Sequence, residues 1–91
     1  MKRHVKVFLE SRGVTGHEPL KCEWCFRERM ADVHHIVPKG MGGNKNLDMP
    51  GNLAGLCRGC HEKAHAGKIG RAKLLARTAL ILFCINNKET G

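Results

Sequence analysis

Val5, Phe8, Leu9 and Arg12 fall at i, i+3, i+4 and i+7, a stripe that predicts a helix over about 3–12, with Gly13 placed to stop it. The same stretch also alternates as Val5, Val7 and Leu9, which keeps a strand as the rival reading. Further along, Val33, Ile36 and Val37 precede Pro38 and predict a short strand over 30–37. A second short strand is predicted over 52–56, after the turn residues Pro50 and Gly51. From Arg58 the spacing turns helical, with His61 and His65 at i and i+4 on one face, until Gly67 and Gly70 interrupt it. A final helix is predicted over about 71–86. Leu74, Leu75, Ala79, Leu82 and Phe83, widened by Ile81 and Ile85, make it apolar on nearly every side, so it needs covering by the first helix or by a second chain. Cys84 lies within it and reads as a buried free thiol. Two stretches read as loops: 13–21, with two glycines and Pro19, and 39–46, with three glycines and two lysines and therefore a candidate phosphate-facing loop.

These elements amount to one domain over 1–91, and a chain of 91 residues has a marginal core. Aromatic residues make up only 4% of it, so few side chains bury a large area apiece, and a cross-link is expected to compensate. Cys22-x-x-Cys25 and Cys57-x-x-Cys60 have the short steps of tetrahedral zinc knuckles. Glu10, Ser11 and Arg12 cut short any secretory signal after the basic start, so the compartment reads as reducing and the thiols as metal ligands rather than disulfides. The 31 residues between the knuckles must hold an inserted structural element. Trp24, inside the first knuckle, reads as a packing residue. The longest apolar run, 79–85, is seven residues, which excludes a membrane span.

Charge points to the partner. Sixteen Lys and Arg against eight Asp and Glu leave a formal net charge of +8 and favour a polyanion. Lys39, Lys45, Arg58 and Lys63 are the cations nearest the metal-ligand residues; Arg58 has a second reading as a cap on the second knuckle, and Lys63 as a solvated helix residue. Lys2, Arg3 and Lys6 form a further basic group on the first helix.

The chemistry concentrates in Cys57-Arg58-Gly59-Cys60-His61-Glu62-Lys63-Ala64-His65, where a C-x-x-C step meets an H-x-x-x-H step. The thiols find partners in Cys22 and Cys25, and the imidazoles in His34 and His35. Adjacent residues of a strand face opposite sides, so one of that pair can join His61 and His65 while the other stays free to accept a proton from water. Three nitrogen ligands with an open position suit a catalytic metal, and four thiolates suit a closed structural one.

The order Cys22-x-x-Cys25, Asp32-Val33-His34-His35-Ile36, Asn52-Leu53, Leu56-Cys57-Arg58-Gly59-Cys60-His61 and His65 resembles the HNH nucleases. Lys39-Gly40-Met41-Gly42-Gly43 resembles a sub-group that includes small phage-borne and bacterial members. The resemblance implies a small α+β fold, a ββα-metal core over 22–66 with a four-cysteine structural zinc site and flanking N- and C-terminal helices. It implies His34, His61 and His65 as ligands of a catalytic divalent ion (Mg²⁺, Mn²⁺, Ni²⁺ or Zn²⁺), with the histidines favouring transition metals. By the same resemblance His35 is the general base, Asn52 fixes the strand that bears it, and DNA phosphodiesters are hydrolysed by a single-metal mechanism that leaves 5′-phosphate ends. The expected setting is the cytoplasm of a bacterial or phage-infected cell, with no membrane partner, weak sequence specificity, and either a larger phage or host assembly or a homodimer through the last helix. A non-catalytic zinc-finger module on DNA or RNA is the rival; it accounts for the cysteines and the charge but not for four histidines in ligand-and-base spacing.

Overall fold

The computed structural model describes residues 2–14, 19–38 and 47–87. Its elements run α1 (Arg3–Ser11), β1 (Asp32–His35), a 3-10 turn (Pro50–Asn52), β2 (Leu53–Leu56), α2 (Arg58–His65) and α3 (Arg71–Asn86). The helical reading of the first segment prevails over the strand. Both strands are shorter than the sequence pattern suggests, and Asn52 closes the turn instead of opening the second strand. Inter-strand hydrogen bonding nevertheless continues one residue beyond each end of β1. Ala31 N–H reaches Leu56 O at 2.8 Å, while Ile36 N–H reaches Asn52 O at 2.9 Å.

The strands pair antiparallel, with Asp32 opposite Leu56, Val33 opposite Gly55, His34 opposite Ala54 and His35 opposite Leu53. A two-residue side-chain period puts Asp32, His34, Ala54 and Leu56 on one face. That face carries the main core: Ala54 and Leu56 cluster with Cys22, Ile36, Cys57, Cys60, Ile69 and Leu74. α1 packs on the other face through Phe8, which is 1% exposed. Gly55 is what lets it approach, because a Cβ there would meet the Met30 sulfur and the Phe8 ring. A two-stranded ribbon is too small to stand alone and is here covered on both faces.

Arg12 closes the α1 side. In the sequence it is one more member of a helical stripe; in the fold it is a buried cation paired with Glu23. The guanidinium donates to Glu23 Oε2 at 2.8 Å and Oε1 at 3.0 Å, and to Leu53 O at 2.6 Å. Glu23 in turn accepts from Gly55 N–H at 3.0 Å. The first knuckle is thereby tied to both α1 and β2, and removing one partner of so buried a pair costs about 3–5 kcal/mol.

α3 packs on the 3-10 turn and β2 through Leu74 and Thr78, the two buried residues of the helix. Arg77 fastens it to the first knuckle, donating to Glu23 O at 3.2 Å and Trp24 O at 3.0 Å while lying 4.5 Å from the centre of the Trp24 ring. Trp24 is partly buried against the core, as a packing residue should be. For α3, the first helix does not supply the full cover, and the expectation for Cys84 needs correction. Its apolar surface is not covered all round among the described residues, since Leu80 and Phe83 remain exposed. Cys84, expected to be a buried thiol, is an exposed free cysteine, because its position turns away from the side defined by Leu74 and Thr78. No helix among the described residues is long and apolar enough to cross a membrane.

Candidate functional site

Cys22 and Cys25 come from the first knuckle, Cys57 caps α2, and Cys60 lies in its first turn. All four sulfurs lie within 4.8 Å of one another. Backbone donors point at the thiols: Trp24 N–H at Cys22 Sγ and Cys60 N–H at Cys57 Sγ, both at 3.4 Å. Backbone N–H groups of Glu28 and Arg27 lower the Cys25 thiol to a pKa of about 6. Burial, with the neighbouring sulfurs, pushes Cys60 up to about 12. One thiol is thus poised to ionise while another resists ionisation until a cation offsets its burial. That donor set fits a divalent metal, which deprotonates coordinating thiols outright.

Beginning at the residue after Cys60, His61 and His65 of α2 meet His34 of β1, with candidate ligand atoms again within 4.8 Å. Burial, followed by the nearby His61, His65, His35 and Arg71 charges, holds His34 down at about 4, so the ring is neutral at pH 7 and one of its nitrogens keeps a free lone pair. His61 Nδ1 lies 3.0 Å from Asp32 Oδ2. With that carboxylate as acceptor, Nδ1 carries the proton and Nε2 is left as a lone-pair donor, the carboxylate–histidine arrangement usual behind metal ligands. His61 Nε2 and His65 Nε2 stand 3.1 Å apart, a spacing that suits a cation shared between them. The three imidazoles therefore fit a transition-metal ion, with no fourth protein ligand among the described residues of the cluster.

His35 stays out of the cluster. Its Nε2 lies 2.7 Å from Asp48 Oδ1, and its ring packs on His4 of α1 with centroids 4.6 Å apart. It nevertheless lines the same cavity as His34 and His65, together with Arg71. The cavity encloses about 100 Å³. Asn52, 4% exposed, accepts from Val37 N–H at 2.8 Å and donates to Val37 O at 3.1 Å and Leu47 O at 3.0 Å. It clamps the chain just after His35 to the start of the segment that brings Asp48.

Of the cations named from the sequence, the two described ones, Arg58 and Lys63, do not line this cavity. Lys39 and Lys45, with the rest of loop 39–46, lie outside the described residues. Arg58 is exposed and 3.8 Å from Asp32 instead of capping the knuckle, and Lys63 borders the thiol side of α2. Asp48, His4 and Arg71 are residues the sequence pattern did not single out. None sits at a diagnostic spacing from His35, and only the fold brings them there. Asp32 is different: it lies two residues before His34, so the period of a strand places both on one face.

The family model described as HNH endonuclease matches residues 21–67 of this chain. The chain belongs to the HNH endonuclease family. The matched residues contain both knuckles, both strands and α2, whereas α1 and α3 are outside them. The small α+β fold, with its two-stranded sheet and thiol cluster, is the ββα-metal arrangement expected for HNH proteins. Among curated proteins the chain is similar to Anaredoxin of Nostoc sp. (strain PCC 7120 / SAG 25.82 / UTEX 2576), at 29% identity over 69 residues, covering 75% of this chain and 87% of that protein. No solved structure matches. HNH membership points to a nuclease-type function with DNA as the partner, and four of the five cysteines could hold a metal ion.

Proposed function

We propose that this HNH protein is a metal-dependent endonuclease that hydrolyses DNA phosphodiester bonds with weak sequence specificity, using His35 as general base. The observation that carries the reading is the contact of His35 Nε2 with Asp48 Oδ1, at the wall of the cavity that also holds His34 and His65. An Nε2–H donated to Asp48 leaves Nδ1 as the acceptor, and the carboxylate stabilises the imidazolium formed when that nitrogen takes a proton. Asn52 serves by holding the backbone beyond His35, so the ring keeps its aim.

In the reaction, His35 removes a proton from water as the water oxygen bonds to phosphorus and the bond to the 3′-oxygen breaks; the departing 3′-oxygen takes a proton from solvent, leaving 5′-phosphate and 3′-hydroxyl ends. His34, His61 and His65 would hold a divalent ion, Mg²⁺, Mn²⁺, Ni²⁺ or Zn²⁺, which supplies Lewis-acid stabilisation of the charge that develops on phosphate and leaving oxygen. Cys22, Cys25, Cys57 and Cys60 would hold a structural Zn²⁺. Affinity for DNA rests on phosphate contacts, consistent with the net charge of +8, and should fall steeply with salt.

Supercoiled plasmid incubated with the protein in each of the four ions, with a chelator control, tests this directly. Nicking that depends on the ion, with 5′-phosphate ends, is the expected result. Retardation of the plasmid without strand breaks in every ion would instead identify a binding module.

A further inference from the structure

Arg71 opens α3, outside the residues that match the HNH family, and it lines the cavity shared by His34, His35 and His65. Its flanks are fixed: Ile69 and Leu74, at 6% and 2% exposure, are embedded in the core and hold the start of the helix against the site. Arg12 and Arg77 spend their guanidinium donors on internal acceptors, Glu23 and Leu53 for the first, the knuckle carbonyls for the second. The Arg71 guanidinium has no ion pair or hydrogen bond with the described residues, and its charge already bears on His34. A guanidinium beside a cluster suited to a cation places like charges at one cavity. The arrangement is favourable when an anion lies between them, and a guanidinium is shaped to grip phosphate oxygens in pairs.

We propose that Arg71 is a substrate-binding residue whose guanidinium grips the scissile phosphodiester in the cavity that His35 lines, an inference that rests on the nuclease reading. The residues shared with the family then bring the imidazoles, and the helix beyond them brings the cation that receives the phosphate. Charge grows on the non-bridging oxygens as water attacks, so a donor fixed there stabilises the transition state more than the ground state.

The test uses the full chain and has two arms. In single-turnover cleavage of plasmid DNA with Mn²⁺, Arg71→Ala is expected to slow the reaction by about 100-fold. Arg71→Lys should recover part of the rate, with melting temperature and metal content unchanged in both variants. In the second arm, dimethyl phosphate is titrated into zinc-loaded protein and followed by ³¹P NMR, where Arg71→Ala is expected to weaken binding by about tenfold. Equal cleavage rates in wild type and Arg71→Ala overturn the assignment and leave the nuclease reading intact. Equal diester affinities, or no diester binding by the wild type, overturn it as well. Arg71-dependent diester binding by a wild-type chain that cuts DNA in no ion sinks the nuclease reading but keeps the anion site.

Discussion

Cys60→Ser is expected to leave the chain largely unfolded at ambient temperature, as read by far-ultraviolet circular dichroism and by loss of a cooperative melt. Cys60 is one of four sulfurs gathered at the centre of the main core, with Ala54, Leu56, Ile69 and Leu74 around it. Structural zinc sites bind with about 10–16 kcal/mol in small metal-folded domains, as much as or more than the about 5–15 kcal/mol by which an ordinary domain is stable. A chain of 91 residues with 4% aromatics has little other burial to draw on. A Cys60→Ser chain that melts within a few degrees of wild type would show that the apolar core suffices and the thiol site is incidental.

The second large effect is expected at His35. Replacing it by alanine should lower the cleavage rate by about 10² to 10⁴-fold, the usual contribution of a positioned general base. The fold and the bound metal should survive, because His35 lies outside both candidate metal clusters. Its neighbours account for the specificity of the loss: Asp48 orients the ring from one side and His4 packs against it from another. Rates measured under single turnover, with melting and metal analysis on the same preparation, check this. Cleavage at the wild-type rate would move the base elsewhere in the cavity.

The parts legible from sequence were those governed by local periodicity or by short spacings. The α2 and α3 boundaries followed from glycines at 67 and 70, and the opposite facing of His34 and His35 from the two-residue period of a strand. The two four-residue knuckles announced a thiol cluster because ligands three apart can converge on one ion wherever the chain goes. The remainder depended on tertiary placement. Arg12 looked like the polar end of an amphipathic stripe, and nothing local shows that Glu23, eleven residues on, meets it in the interior. Asp48 reaches His35 only because Asn52 folds the connection back onto Val37. Cys84 is exposed where its apolar surroundings in the sequence predict burial, because the apolar residues of α3 outnumber the positions that the turn and β2 can cover. Arg71 is not legible locally, because a lone arginine after a helix-breaking glycine has many meanings and only the tertiary fold places it at the cavity.

Cys60 and His61 are neighbours in the chain whose side chains join different clusters, one of sulfur and one of nitrogen. On the reading proposed above, the first keeps the fold and the second serves the reaction. Metal counting by elemental analysis on His61→Ala, beside its circular dichroism and plasmid cleavage, tests that separation. One zinc per chain, retained in a folded protein that no longer cuts DNA, is the predicted result. Loss of all metal together with the fold, or cleavage undiminished by the substitution, would contradict it.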